Sequence, residues 1–257
     1  MRILLVNDDG INAVGLNVMA ETFCKEHDVC VVAPESERSG FSHSVTIFRN
    51  MHYAKTQHEV ESYSVSGTPA DCVKFGVIHL FKDRKPDLVL SGINSGPNIG
   101  SDIMYSGTVA AASEAVFLGI PAIAVSLGGW LEQREHFKER EYYLEAAEFV
   151  KRNLENLYGL VKTYTGELLL NVNYPVNRSY KGAVFSKAGL NWYDDYFDTC
   201  ETPGVVQLKG MPVSHKQDET DCDVAWIKKG YAVITPLRLD RNHYEVLERC
   251  KDQVKLR

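Results

Sequence analysis

The feature that most constrains the fold is a short apolar run cut off by charge: Ile3-Leu4-Leu5-Val6 leads into Asn7, the adjacent carboxylates Asp8 and Asp9, and Gly10. Four consecutive apolar residues fit a strand buried on both faces, as in a parallel sheet, and Gly10 supplies the backbone freedom for a sharp turn. Side chains alternate along a strand, but Asp8 and Asp9 follow the run, so both carboxylates can converge beyond the sheet. Two anions that close repel unless a cation lies between them, and paired carboxylates are hard oxygen ligands for Mg²⁺, Mn²⁺ or Ca²⁺. A plain Asp-Asp-Gly turn accounts for the same residues.

The pattern of apolar run and polar loop recurs. Helical spacing over Ala13 to Glu26, with Val14, Leu16, Val18, Met19 and Phe23, precedes an apolar strand, Val29 to Ala33, stopped by Pro34. This is a βαβ unit, and it predicts parallel neighbours whose C-terminal ends open on one side, where ligands bind. The next loop holds Arg38, Ser39, Ser42, His43 and Ser44; a solvated loop satisfying its own backbone explains it equally. Tyr63 to Ser66 predicts a strand, and Thr68-Pro69 a capped helix running toward Leu80, with Cys72 on its apolar stripe. Leu88-Val89-Leu90 predicts another buried strand, followed by a long loop from Ser91 to Asp102 that carries Asn94 and Asn98. Ser106-Gly107-Thr108 then opens an alanine-rich helix whose free N–H groups make an anion site, or an ordinary cap. Beyond it come a strand at Ala122 to Ser126, a long amphipathic helix from Arg134 to Leu157, and a strand at Leu168 to Asn173. After residue 175 the character changes: Asn191 to Phe197 is aromatic and acidic, Val205 to Leu208 extended, and Tyr231 to Thr235 a strand. This divides the chain into an α/β domain over 1–175, a mostly parallel sheet flanked by helices, and a β-rich extension over 176–257 with a C-terminal return segment, suited to subunit contacts or to covering the sheet.

A net charge of -6 and the absence of a dense Lys/Arg run exclude a broad nucleic-acid face and favour small-molecule chemistry. The six cysteines form no Cys-x-x-Cys pair and read as reduced, mostly packed thiols. No segment is apolar enough for a signal peptide or a membrane span, which places the protein in the cytoplasm.

Three strands thus end on one sheet edge in chemistry: Asp8 with Asp9, Ser39 with its neighbours, and Asn94 to Asn98. Two carboxylates, a hydroxyl and a carboxamide are hard donors that form a partial cation shell, and a phosphate between the cation and the Ser106 helix start points to metal-assisted phosphoester hydrolysis. Dinucleotide, nucleoside-triphosphate and serine-hydrolase motifs are absent, and the Asp-x-Asp of haloacid-dehalogenase-type phosphatases does not fit Asp8-Asp9-Gly10. A receiver module lacks its acceptor Asp here.

The segments Ile3 to Gly15, Val32 to Thr46, Tyr63 to Lys74, Asp87 to Gly100 and Tyr105 to Ser126 resemble the signatures of the SurE (survival protein E) nucleotidases, with weaker likeness through Asn171 to Asn173 and Thr220 to Leu237. The resemblance implies a Rossmann-like domain with a β-rich oligomerisation extension, forming a homodimer or homotetramer. It implies one Mg²⁺ or Mn²⁺ per subunit and hydrolysis of nucleoside 5′-monophosphates, with 3′-nucleotides and short polyphosphate as further substrates. Metal ligands carry over onto Asp8, Asp9, Ser39 and Asn94, and phosphate binding onto Asn98, Ser106, Gly107 and Thr108. The sequence departs from the family pattern at Glu219 and over 50–62. Asp9 is expected to act as base toward a water acidified by the metal; direct attack by Asp8 or Asp9 is the alternative. His43 assists proton transfer or substrate binding, or makes structural hydrogen bonds. A non-catalytic metal- and nucleotide-binding sensor is the remaining rival.

Overall fold

In the computed structural model, residues 1–129, 131–176, 180–190, 192–200, 202–213 and 220–253 are described. The N-terminal apolar run is strand β1 (Arg2–Val6), and helix α1 (Val14–Phe23) carries the chain to β2 (Asp28–Pro34), parallel to β1. Strands β3 (Tyr53–Lys55) and β4 (Glu61–Val65) extend that side, β4 parallel to β2 and β3 antiparallel on the edge. Helix α2 (Pro69–Lys74) leads back across β1 to β5 (Leu88–Asn94), which lies parallel to β1 on its other side. Then follow α3 (Gly107–Phe117), β6 (Ala122–Gly128), α4 (Arg140–Arg152), α5 (Leu154–Thr163) and β7 (Leu168–Pro175), the strands still parallel.

The later elements are β8 (Ala183–Phe185), β9 (Trp192–Thr199), β10 (Val206–Val213), α6 (Asp223–Lys228), β11 (Ala232–Arg238) and α7 (Tyr244–Gln253). The main sheet has nine strands in the order β3-β4-β2-β1-β5-β6-β7-β11-β8, while β9 and β10 form a separate antiparallel pair. Thus β11, antiparallel to β7, returns from the C-terminal part into the main sheet. The chain leaves β1 first toward β2 and later toward β5, so the topological switch point lies between β1 and β5. Ligands of open α/β sheets bind at the carboxyl ends of the strands there.

Alternation along β1 feeds two cores. Ile3 and Leu5 pack with Leu16, Met19 and Phe23 of α1, and Leu4 and Val6 with Cys72 and Val73 of α2 and Ala112 of α3. The four apolar side chains of β1, Ile3 to Val6, are fully buried, each contributing roughly 1.5–3 kcal/mol. The backbone of α1 itself approaches β5 closely: a Cβ on Gly15 would lie 2.0 Å from the Ile93 carbonyl oxygen. Gly15→Ala is therefore expected to destabilise the protein by about 3 kcal/mol, measured by denaturant unfolding.

Several expectations are corrected. Residues Ser91 to Asn94 belong to β5 rather than a loop, because the ladder with β6 continues past a register shift between Ser91 and Asn94. The helix expected over Arg134 to Leu157 is a 3₁₀ segment, Leu131–Lys138, then α4 and α5. The break falls at Asn153, whose backbone leaves helical geometry at φ -102° and ψ 5° while its side-chain Nδ2 joins its own N–H on the Phe149 carbonyl, at 2.8 Å. Leu144 of α4 is exposed despite its apolar side chain, as is Val14 of α1. The helix toward Leu80 starts at the Thr68 cap as expected but turns π-helical over Phe75–Leu80. Cys72 is buried, whereas Cys200 and Cys250 are exposed rather than packed. Asn191 and Glu219 lie outside the described residues. Among the described residues, no helix is long and apolar enough to cross a membrane.

Candidate active site

β1 and β5 end side by side at the switch point. Asn7, fully buried, closes the turn after β1: its Nδ2 donates to the Gly10 carbonyl at 2.9 Å, and its Oδ1 accepts the Gly10 N–H at 3.2 Å. The two following carboxylates meet different surroundings. Asp8 is 3 % exposed, and its Oδ1 accepts the Thr108 hydroxyl. Burial pushes its pKa up, opposed by that hydroxyl and by backbone N–H groups including those of Thr108 and Gly107. The expected anion site at the start of α3 therefore already serves an anion, the carboxylate of Asp8. A Cβ on Gly107 would stand 2.8 Å from Asp8 Cβ and 2.9 Å from Oδ2. If Asp8 is catalytic, Gly107→Ala should lower kcat/KM about 100-fold by displacing it, with the loss read against an unfolding curve.

Asp9 is half-buried and turns toward the loop after β5: its Oδ1 accepts the Ser95 hydroxyl at 3.0 Å and its Oδ2 the Ser95 N–H at 3.1 Å. Burial, then the neighbouring charge of Asp8, push its pKa up to about 6; the Ser95 bonds lower it and Glu37 adds repulsion. Ser39 is exposed on the loop after β2, and its hydroxyl donates to Glu37 Oε1 at 2.9 Å. That loop is tied into the site on both sides of Ser39, the Arg38 N–H donating to the Asp8 carbonyl at 2.7 Å and the Ser42 N–H to the Tyr105 carbonyl at 3.1 Å. Asn94 ends β5, and its Nδ2 donates to the Gly96 carbonyl at 2.9 Å, leaving the carboxamide oxygen outside that bond.

Asn98 is buried in a carboxamide network. Its Nδ2 donates to Ser126 Oγ at 2.8 Å and its N–H to Asn173 Oδ1 at 2.9 Å, while its carbonyl accepts from Asn171 at 2.7 Å and Asn173 at 3.0 Å. Ser106, not Thr108, caps α3, its Oγ accepting the Val109 N–H at 3.1 Å. His43 lies against α3 on its other flank, with Nε2 2.8 Å from Glu114 Oε2. Residue patterns did not single out Asn7, Glu37, Ser95 or Glu114 for the site. For Asn171 and Asn173 a signal existed, since asparagine interrupting an apolar strand has to find hydrogen bonds.

The set suits a hard cation. Asp8 and Asp9 are held adjacent against burial and, at Asp9, against mutual repulsion, a cost that a divalent ion offsets. The Ser39 hydroxyl and Asn94 carboxamide add neutral oxygens. Among the described residues no group of three His, Cys, Asp or Glu side chains is placed to hold a metal, and the candidate set contains only two. Beside Ser106 a cavity of about 1060 Å³ runs along α3, with His43, Glu114, Phe117, Leu190 and Arg238 in its walls.

The model of the family described as survival protein SurE matches residues 3–195. The chain is 37% identical to a 5′-nucleotidase SurE of Alkaliphilus metalliredigens over 98% of both chains. It is 39% identical to that of Carboxydothermus hydrogenoformans, over 99% of this chain and 97% of the relative. The crystal structure of the SurE protein from Aquifex aeolicus superposes with a TM-score of 0.82 at 33% identity, covering 99% of this chain and 100% of the other. With a matching family model over most of its length and relatives this similar end to end, the chain belongs to the survival protein SurE family.

Proposed function

We propose that this chain is a divalent-metal-dependent phosphomonoesterase that releases phosphate from nucleoside 5′-monophosphates. The observation that carries the reading is the carboxylate pair Asp8 and Asp9, held at the switch point beside the start of α3. The 5′-nucleotidase names of the relatives support the substrate class. Asp8, Asp9, Ser39 and Asn94 would hold one Mg²⁺ or Mn²⁺ per subunit, and the bound cation supplies charge neutralisation at the phosphoryl oxygens and a more acidic water.

The chain's own groups do the positioning and the proton transfer. Thr108 orients Asp8, and Ser95 orients Asp9 through both carboxylate oxygens. Asp9 is the base toward the attacking water in this reading; in the cation-free protein burial and the Asp8 charge raise its carboxyl to about 6. The Ser106 hydroxyl spends its acceptor on Val109, so its O–H is available to a phosphate oxygen. Asn98 Nδ2 has a second hydrogen beside the one given to Ser126. Gly107 and Thr108 contribute the N–H groups that Asp8 shares, and 3′-nucleotides and short polyphosphate fit the same phosphate chemistry. A homodimer or homotetramer, joined through the β9–β10 pair with its exposed Tyr196, Phe197 and Leu208, and residence in the cytoplasm complete the proposal. Neither a nucleic-acid polymer nor a membrane is a partner in it.

The test is phosphate release from a panel of nucleoside 5′- and 3′-monophosphates and short polyphosphate with Mg²⁺ or Mn²⁺. Release from 5′-monophosphates is expected to be fastest. Metal and nucleotide binding without any release would replace the enzyme by a sensor.

A further inference from the structure

Glu114 is an anomaly on α3, a carboxylate only 5 % exposed on a helix whose buried residues after Gly107 and Thr108 are otherwise alanine and valine. Its two oxygens serve different elements. Oε1 accepts from Lys74 Nζ of α2 at 2.6 Å, and Oε2 lies 2.8 Å from Nε2 of His43, on the loop that carries Ser39. The His43 ring in turn stacks on Phe117, with centroids 5.8 Å apart. Burial raises the Glu114 pKa, but the His43 and Lys74 hydrogen bonds and the Lys74 charge outweigh it, so the carboxyl stays below its ordinary range. An ion pair with its carboxylate buried and its cationic partners part-exposed adds little to stability, and the best-attested use of such a pair is to fix register between elements.

The register at stake is that of the Ser39 loop. Between Arg38, bonded to the Asp8 carbonyl, and Ser42, bonded to the Tyr105 carbonyl, the chain is exposed; its ends are held by these main-chain bonds and, at Arg38, by a guanidinium bond to the Ser66 carbonyl at 3.3 Å. Beyond it, His43 is the first residue whose side chain reaches a buried partner, and the Ser44 carbonyl and Thr46 are fastened to α2 through Thr68 and Asp71. Glu114 therefore joins three pieces: the loop of Ser39, the helix whose first turn holds Asp8, and α2.

We propose that Glu114, acting through His43 and Lys74, is a positioning residue that sets the Ser39 loop against the Asp8–Asp9 pair, so that losing it weakens the cation site without removing a ligand. This rests on Asp8, Asp9, Ser39 and Asn94 being the cation site. Partners that orient ligands typically cost ten- to a hundredfold in metal affinity when removed. The experiment measures Mn²⁺ binding to the full chain by electron paramagnetic resonance, for wild type, Glu114→Gln, His43→Leu, His43→Gln and the Glu114→Gln/His43→Leu double variant, with thermal unfolding of each.

For Glu114→Gln and His43→Leu, the Mn²⁺ dissociation constant is expected to rise about tenfold, with their melting temperatures near wild type. The double variant should be no worse than either, since both cut the same link. His43→Gln, which can still donate to Glu114, should recover most of the affinity. At saturating Mn²⁺, kcat of Glu114→Gln should return toward wild type. Unchanged Mn²⁺ affinity in folded Glu114→Gln and His43→Leu, or additive losses in the double variant, would overturn the proposal. A wild type that binds no Mn²⁺ would instead sink the reading of the site itself. Should Glu114→Gln fail to fold, the comparison of His43→Leu with His43→Gln decides alone.

Discussion

Asp8→Asn is expected to lower phosphate release on the order of a thousandfold while leaving the fold intact. The substitution keeps volume and shape at a site that is 3 % exposed, and the amide oxygen can still accept the Thr108 hydroxyl. What disappears is the charge, with one of the two acceptor oxygens beside the N–H groups at the start of α3. Burial disfavours that charge in the metal-free protein, so the variant should unfold at a temperature no lower than wild type. Loss of turnover with retained stability separates a ligand role from a scaffolding one. Steady-state hydrolysis of a 5′-monophosphate with Mn²⁺, beside a melting curve, makes the measurement, and substantial metal-dependent turnover in the variant would remove Asp8 from the ligand set.

Asp9→Asn should likewise stop hydrolysis, and it should also stabilise the metal-free protein above pH 6. The Asp9 carboxyl is raised from 3.8 to about 6, so between those values the folded chain holds a proton that the unfolded chain has released. Wild-type stability therefore falls as pH rises through that window, and the full penalty persists above it. After discounting for partial exposure the penalty is about 2 kcal/mol, and asparagine, which carries no charge, escapes it. Chemical unfolding in chelator should show the variant about equal to wild type near pH 4 and more stable at pH 7.5. Equal stability at both pH values would mean that Asp9 is not strained by its surroundings.

The parallel sheet was legible because each strand is a compact apolar run ending in Pro, Gly or a polar loop: Ile3 to Val6, Val29 to Ala33 and Leu88 to Leu90 all lie in strands. The carboxylate pair was legible for the same reason, as charge placed where a buried strand stops. The extension of β5 to Asn94 was not, since Ser91 and Gly92 read as loop residues and only the register with β6 makes them strand. Neither was the break at Asn153, where the backbone leaves helical geometry inside an unbroken apolar periodicity.

Side-chain partners far apart in sequence leave no periodic trace. Ser95 reaches Asp9 across 86 positions and Glu114 meets His43 across 71, so neither pair has a spacing that a linear pattern can show. Thr108 was singled out as a helix-start residue, but whether its hydroxyl caps α3 or holds Asp8 depends on where β1 ends relative to that helix. Tertiary packing decides it in favour of Asp8, with Ser106 as the cap.

The most direct test of the central claim is hydrolysis of a nucleoside 5′-monophosphate by wild-type protein and Asp8→Asn, first in EDTA and then after adding back Mn²⁺ or Mg²⁺. Phosphate release that vanishes in EDTA, returns with the cation in wild type, and does not return in Asp8→Asn is the expected result. Release that continues undiminished in EDTA, or that returns equally in Asp8→Asn, would contradict a cation site built on the Asp8–Asp9 pair.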